Sequence, residues 1–222
     1  MNAIALQACK FIAVVIVSFV AILQTFGQED ILMARESDRV RGNHDAPVTL
    51  LEYSDFTCGF CEKFFMETWP LLFSEYVQTG KVRLIYRDFP RARSGPSVDS
   101  SIAARCAGDQ GQYWNMHDRL FASHRKFSPG QLQQQAEELQ LNVRQFKDCF
   151  DNGRHMDAIY QDRMEGGSLG IRGTPSFILY LTQEPEEGLS IPGAFPFDVF
   201  KEQIDRLLLK SASSTEADSG SL

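Results

Sequence analysis

Two thiols in the run Cys58-Gly59-Phe60-Cys61 carry the sharpest chemistry in this 222-residue chain. In a helix the spacing sets the sulfurs one turn apart, close enough to close a small disulfide ring. The stretch before them, Val48-Thr49-Leu50-Leu51-Glu52-Tyr53, reads as a short buried strand. The thiols therefore open a helix directly after a strand. Unpaired backbone N–H groups and the helix dipole favour negative charge at such an N-terminus. Cys58 would then be a thiolate at neutral pH, the form that attacks disulfides. Half a zinc site has the same spacing, so the surroundings must decide.

Two neighbours point to redox chemistry. Glu52 stands inside the apolar strand, six residues before Cys58. A buried carboxylate is costly unless paired or protonated. Beneath a dithiol it would accept a proton from Cys61 as that sulfur attacks; on a half-exposed strand it would only face solvent. Thr174-Pro175 immediately precedes the strand-like Ser176-Phe177-Ile178-Leu179-Tyr180-Leu181. Proline cannot donate to a ladder and belongs at a strand's first residue. A cis bond there would turn the Thr174 backbone towards the dithiol, ready to pair with an extended peptide; an ordinary trans loop proline fits the residues as well.

Other chemistry-bearing residues form weaker patterns. His44, His117, His124 and His155 make no metal pattern with the cysteines, although His117 and His124 could share a helix face. Gly166-Gly167 and Gly170 lack the Lys and Ser/Thr of a phosphate loop and serve to let the chain leave a helix. Trp69, Tyr113 and Trp114 read as core. Arg87, Arg91 and Arg93, around Pro90, read as a solvated loop bordering a substrate groove.

The elements that must position the thiols follow from periodicity. From Gly59, the apolar residues Phe60, Phe64, Phe65, Trp69, Leu72 and Phe73 recur every three or four positions, giving one buried helix face. Pro70 should kink this helix and Gly80 should end it. Lys81 to Arg87 alternates like a second strand, so the order is strand, helix, strand with a parallel pair. Helices are expected at 97–109, 113–124, 129–140 and 143–165, with Asn142 as an N-cap. After the 176–181 strand come a polar turn over 183–188, a short edge strand over 189–191 and an amphipathic helix over 198–210. The organisation is a leader over 1–27, a linker over 28–43, one domain over 44–210 with an all-helical insertion at about 97–169, and a disordered tail over 211–222. The fold class is α/β, and about 180 residues suffice for one sizeable core.

Phe11 to Leu23 is apolar apart from Ser18 and follows Lys10. It is short for a bilayer span of about 20 residues and suits a secretory leader, either a cleaved signal peptide or an uncleaved signal anchor. Both export the domain to a compartment where disulfides persist. Cys9 precedes the apolar run, leaving Cys58, Cys61, Cys106 and Cys149. Four cysteines allow three connectivities. Cys58–Cys61 is the local pair, and Cys106 and Cys149 are either buried free thiols or a second, structural disulfide. The net charge is −7 and no basic stripe appears, which argues against nucleic acid as a partner.

In order along residues 42–210, the segments A-P-V-T-L-L-E-Y-S-D-F-T-C-G-F-C-E-K-F, G-K-V-R-L-I-Y-R-D-F-P, A-A-R-C-A-G-D-Q-G-Q-Y-W-N-M-H-D-R-L-F and G-I-R-G-T-P-S-F resemble the thioredoxin superfamily. Within it they resemble the DsbA-like exported thiol–disulfide oxidoreductases. The resemblance implies a thioredoxin fold, a central mixed sheet flanked by helices and carrying a helical insertion. It implies Cys58 as nucleophile, Cys61 as resolving cysteine, Glu52 as buried acid and Thr174-Pro175 as a cis-proline loop. It implies no organic cofactor or metal, a monomer, cysteine-containing or unfolded exported proteins as substrates, and a membrane redox partner for recycling. A reductase or isomerase, or a redox-inactive binding module of the same fold, are the alternatives. One departure stands out. Strongly oxidising members carry histidine where this chain has Phe60, and Gly59-Phe60 should therefore lower the Cys58 pKa less. The expected potential lies between about −120 mV for DsbA and about −270 mV for thioredoxin.

Overall fold

A computed structural model describes residues 31–35, 38–123 and 127–219, with side chains through residue 213. The apolar run 11–23 and His124 lie outside the described residues. Five strands form one sheet in the order β1-β3-β2-β4-β5. They are β1 (Arg39–Arg41), β2 (Val48–Ser54), β3 (Val82–Asp88), β4 (Ser176–Leu181) and β5 (Glu184–Pro192). β2 and β3 are parallel, as the strand–helix–strand order requires, and every other pair is antiparallel. β2 and β3 are buried along their whole length, so they occupy the centre of the sheet.

The helix between them, α1, starts as α-helix over Gly59–Lys63 and ends near Val77. The disturbance expected at Pro70 takes the form of widened turns. π-Helical segments Phe64–Thr68 and Phe73–Val77 flank the short α-helical stretch Trp69–Leu72. The Trp69 N–H reaches back five residues to the Phe64 carbonyl, and the helix continues past a proline that cannot donate. Phe64, Trp69, Leu72 and Tyr76 pack with Val48, Leu50, Phe177 and Phe200 on one face of the sheet. Phe200 belongs to the closing helix α7 (Phe197–Ser219). Leu51, Tyr53, Ile85, Ile178 and Tyr180 cover the opposite face.

Between β3 and β4 lie five helices: α2 (Pro96–Gly108), α3 (Tyr113–Ala122), α4 (Pro129–Glu138), α5 (Val143–Asp151) and α6 (Met156–Ser168). Their core meets the start of α1, so Phe56, Cys58 and Cys61 share one apolar cluster with Ile102, Leu120 and Phe146. Asn142 caps α5 by accepting from the Gln145 N–H at 3.1 Å.

Several boundaries depart from the sequence expectation. The single helix expected over 143–165 is two, because the chain turns at Asn152-Gly153, where Gly153 takes a φ of +58°. The stretch taken as a linker supplies β1, and Leu32 within it is buried. The polar run taken as a turn over 183–188 is mostly strand. β5 is an edge strand with an exposed middle, a place that tolerates Pro185 and its glutamates. The helix expected to stop at Lys210 continues to Ser219 where a disordered tail was expected, with Lys210 bonded to Glu184 at 2.6 Å.

Arg87 is the largest correction. It is fully buried on β3, not in a solvated loop. It donates to Asp38 at 2.9 Å, to the Tyr53 hydroxyl at 3.2 Å and to the Met33 carbonyl at 3.1 Å. Arg105 likewise pairs with Asp88 at 2.6 Å and with Asp162. Gly166 lets α6 approach this cluster, since a Cβ there would lie 2.9 Å from the rings of Tyr53 and Phe89.

Candidate active site

β2 delivers the dithiol. After Ser54 the chain makes a tight turn in which Asp55 is fully buried. One Asp55 carboxylate oxygen accepts from the Thr57 N–H and hydroxyl, both at 2.7 Å. The other accepts from the Ser97 hydroxyl at 2.7 Å and from the Arg91 N–H at 3.0 Å. Asp55 thus ties the turn to the start of the insertion. The Cys58 N–H closes the turn on the Asp55 carbonyl at 2.9 Å. Sequence reading passed over Asp55, yet Asp-x-Thr before a helix is an Asx-turn signature.

Cys58 occupies the N-cap of α1 with extended backbone and has no side-chain cap of its own. The Cys58 pKa falls from 9.0 to about 5, first through a hydrogen bond from Cys61, with smaller help from the Thr174 side chain and the backbone N–H groups of Cys61 and Phe60. Burial opposes the shift. The value lies between about 7 for thioredoxin and about 3.5 for DsbA. Phe60 projects outward, 67% exposed, and Gly59 is exposed beside it.

Cys61 is fully buried one turn along. Burial pushes its thiol well above the usual range, and the neighbouring Cys58 pushes the same way. The two sulfurs are free thiols with opposite tendencies. Glu52 is buried too, 3% exposed, between Tyr86 on β3 and Phe177 on β4. Among the described residues no ion pair offsets it, and burial raises its pKa from 4.5 to about 7. Ser54 follows on the same strand face, because side chains alternate with period two. It lowers the pKa of both Glu52 and Cys61 from a position that completes no hydrogen bond to either. Ser54 is the second residue sequence reading missed; its i, i+2 spacing from Glu52 was the available signal.

The Thr174–Pro175 peptide bond is cis. Across the sheet end, the Cys58 thiol donates to the Thr174 carbonyl at 3.3 Å, over 116 residues of sequence. The structure therefore brings Cys58 and Cys61 together with Thr174 and Pro175, and Ser54 lies near both Cys61 and Glu52. Arg91 borders them, donating to Asp55 and to the Thr57 carbonyl.

Cys106 and Cys149 lie elsewhere. They are bonded to each other, joining α2 to α5 within the insertion. His155 lies within 4.8 Å of both sulfurs, but sulfurs bound to each other offer no thiolates to a metal, and the ring bonds Asp109 at 3.0 Å instead. His117 is buried among aromatic rings with its Nδ1 on Asp118 at 2.9 Å.

A sheet of this order with a dithiol at the start of its first long helix and a cis-proline loop opposite defines a thioredoxin fold. The family model described as Thioredoxin matches residues 34–183, and the chain belongs to that family. A probable disulfide bond formation protein D of Bacillus anthracis is 29% identical over 192 residues, covering 81% of this chain and 82% of the relative. The crystal structure of Wolbachia pipientis alpha-DsbA1 shares the fold, with a TM-score of 0.76 and 24% identity over 85% of this chain and 99% of that one. A Na(+)/H(+) antiporter NhaA 3 of Salinispora tropica is 32% identical over 145 residues, 65% of this chain. The chain spans only 22% of that antiporter's length.

Proposed function

We propose that the chain is an exported protein thiol–disulfide oxidoreductase working in the oxidising direction through a Cys58–Cys61 disulfide. The observation that carries this is the asymmetry of the two sulfurs. Cys58 is the acidic thiol, with a pKa of about 5, and lies beside the Thr174 carbonyl edge, while Cys61 is buried with its pKa pushed up and Glu52 is buried near 7 without an ion pair among the described residues. Stabilising the Cys58 thiolate stabilises the reduced enzyme, which makes the disulfide form the better oxidant. A relative that matches along most of its length is named a probable disulfide bond formation protein, which supports the same direction.

A substrate thiolate attacks Cys58 of the disulfide. The Cys58–Cys61 bond breaks, its electron pair goes to Cys61, and a substrate–Cys58 mixed disulfide forms. Cys61 cannot remain charged where it is buried. Glu52, near neutrality in its own titration, supplies the proton, with Ser54 between them. A second substrate thiolate then attacks the substrate sulfur, releasing the oxidised substrate and the Cys58 thiolate. Run backwards, Glu52 takes the Cys61 proton as Cys61 attacks. The Thr174 carbonyl edge pairs with the extended substrate, and exposed Phe60 gives it an apolar contact. No cofactor takes part, and a membrane redox partner restores the disulfide. The apolar leader over 11–23 supports export, and Phe60 in place of histidine supports a potential between about −120 and −270 mV.

Oxidative refolding of a reduced, disulfide-containing protein, run beside insulin reduction, tests the assignment. Wild type should accelerate both, and Cys58→Ser should accelerate neither. Full activity in Cys58→Ser would remove Cys58 as nucleophile.

A further inference from the structure

The loop that carries Thr174 also forms one wall of a groove of about 860 Å³, whose other walls are the end of α6 and the loop after β3. Phe89, Tyr160 and Ile171 line it, and three arginines, Arg93, Arg163 and Arg172, stand around it. The Tyr160 hydroxyl donates to the Arg93 carbonyl and ties the two loops of the groove together. Arg172 bonds only backbone carbonyls, those of Gly167 at 3.1 Å and Ile171 at 3.2 Å. Among the described residues none of these three guanidinium groups has an acidic partner. Arg87, Arg105 and the exposed Arg91 each pair with a carboxylate, whereas Arg39 and Arg83, like Arg93, Arg163 and Arg172, have no acidic partner among the described residues. The chain as a whole carries −7. Three unpaired guanidinium groups around one groove, in an acidic protein, form a local field of the opposite sign.

The groove reaches the loop that borders the reacting sulfur. Arg172 precedes Thr174 by two residues, and the Thr174 carbonyl lies 3.3 Å from the Cys58 sulfur. An extended chain advances about 3.3 Å per residue. A substrate strand lying along 172–174 with its cysteine at Cys58 therefore carries its own neighbouring residues into the groove. A guanidinium fork matches a carboxylate in plane and can bind it through two parallel hydrogen bonds. The aromatic walls suit the aliphatic stem of the same side chain.

We propose that this groove is a specificity site for the proposed reaction. It selects substrate polypeptides that carry Asp or Glu two to four residues from the cysteine that bonds Cys58, with Arg163 and Arg172 as the principal contacts. The proposal rests on the oxidoreductase reading above. Charges at such a rim act mainly on association rate and its salt dependence.

The test uses two-cysteine fluorescent peptides and the isolated disulfide form of the whole chain. Two peptide thiols become one disulfide while the Cys58–Cys61 disulfide becomes two thiols. Second-order rates are compared for peptides with Glu, Gln or Lys two, three or four residues to either side of the first cysteine. On one side the Glu peptide should react about tenfold faster than the Lys peptide at low salt, and the gap should close above about 0.5 M salt as screening sets in. In Arg163→Glu/Arg172→Glu the order should reverse, with Lys faster than Glu. That reversal is read within one variant and does not depend on its overall activity. Equal rates for the three peptides at every position in wild type would overturn the groove assignment and leave the oxidoreductase standing. No reaction with any peptide would overturn the oxidoreductase itself, and the groove assignment with it.

Discussion

The molecule holds two pairs of cysteines, and their surroundings could hardly differ more. Cys58 begins a helix at the end of β2, where backbone N–H groups and Cys61 converge on its sulfur, and a peptide edge lies 3.3 Å away. Cys106 and Cys149 lie inside the helices α2 and α5, buried and bonded to each other, in the core of the insertion. The first pair is made reactive by where the chain turns. The second closes a loop of 43 residues and has no comparable charge-stabilising setting. The acids repeat the contrast. Asp38 and Asp88 are buried with arginines bonded to them, whereas Glu52 is buried with no cation bonded to it among the described residues, and burial raises its pKa to about 7. Position in the fold decides whether a sulfur or a carboxylate is structural or reactive.

The comparison breaks first if the pairs can be exchanged. Cys58→Ser should reduce disulfide exchange to background, while Cys106→Ala/Cys149→Ala should keep it. That double variant should instead lose about 2–5 kcal/mol of stability, seen as a lower midpoint in urea with the redox assay intact. Loss of exchange in a folded double variant would erase the distinction.

The buried charges come next. Arg87→Met leaves the buried Asp38 with Arg35 alone and should cost about 3 kcal/mol by chemical denaturation. Glu52→Gln should act with the opposite sign at alkaline pH. The folded pKa of Glu52 is raised from 4.5 to about 7, so its stability penalty is absent below about 4.5, grows as pH rises, and is complete above 7. Glu52→Gln should therefore gain about 1–3 kcal/mol at pH 8 relative to pH 4. It should also slow the step that protonates or deprotonates Cys61. A pH-independent difference would mean that Glu52 is not the isolated acid described.

The inner dipeptide gives the smallest effect. Phe60→His should lower the Cys58 pKa below 5 and raise the potential by about 30 mV for each 1.4 kcal/mol of thiolate stabilisation, read in glutathione buffers. An unchanged potential would show that the backbone and Cys61 alone set the couple.

Much of this was legible in the sequence, where local pattern and tertiary partner agree. Val48–Ser54, α1 and Ser176–Leu181 announced themselves by apolar period, and the order of the dithiol, the helical block and Thr174-Pro175 gave the fold. What escaped depends on partners far along the chain. Arg87 looked like a solvated arginine because its carboxylate, Asp38, lies 49 residues away. β1 is three residues, Arg39–Arg41, with two charges, too short and polar to carry a strand pattern. The break at Asn152-Gly153 was hidden because apolar spacing continues through it from Phe146 to Ile159. Ser54 and Asp55 are small polar residues whose roles appear only once the strand end and the start of α2 meet.

The most direct test of the central asymmetry is the pH dependence of alkylation of the fully reduced protein, resolved by cysteine with mass spectrometry. Cys58 should be modified with a midpoint near pH 5, and Cys61 should stay unmodified in the native protein up to pH 9. A Cys58 midpoint near the ordinary thiol value of about 8.5, or modification of Cys61 before Cys58, would contradict it.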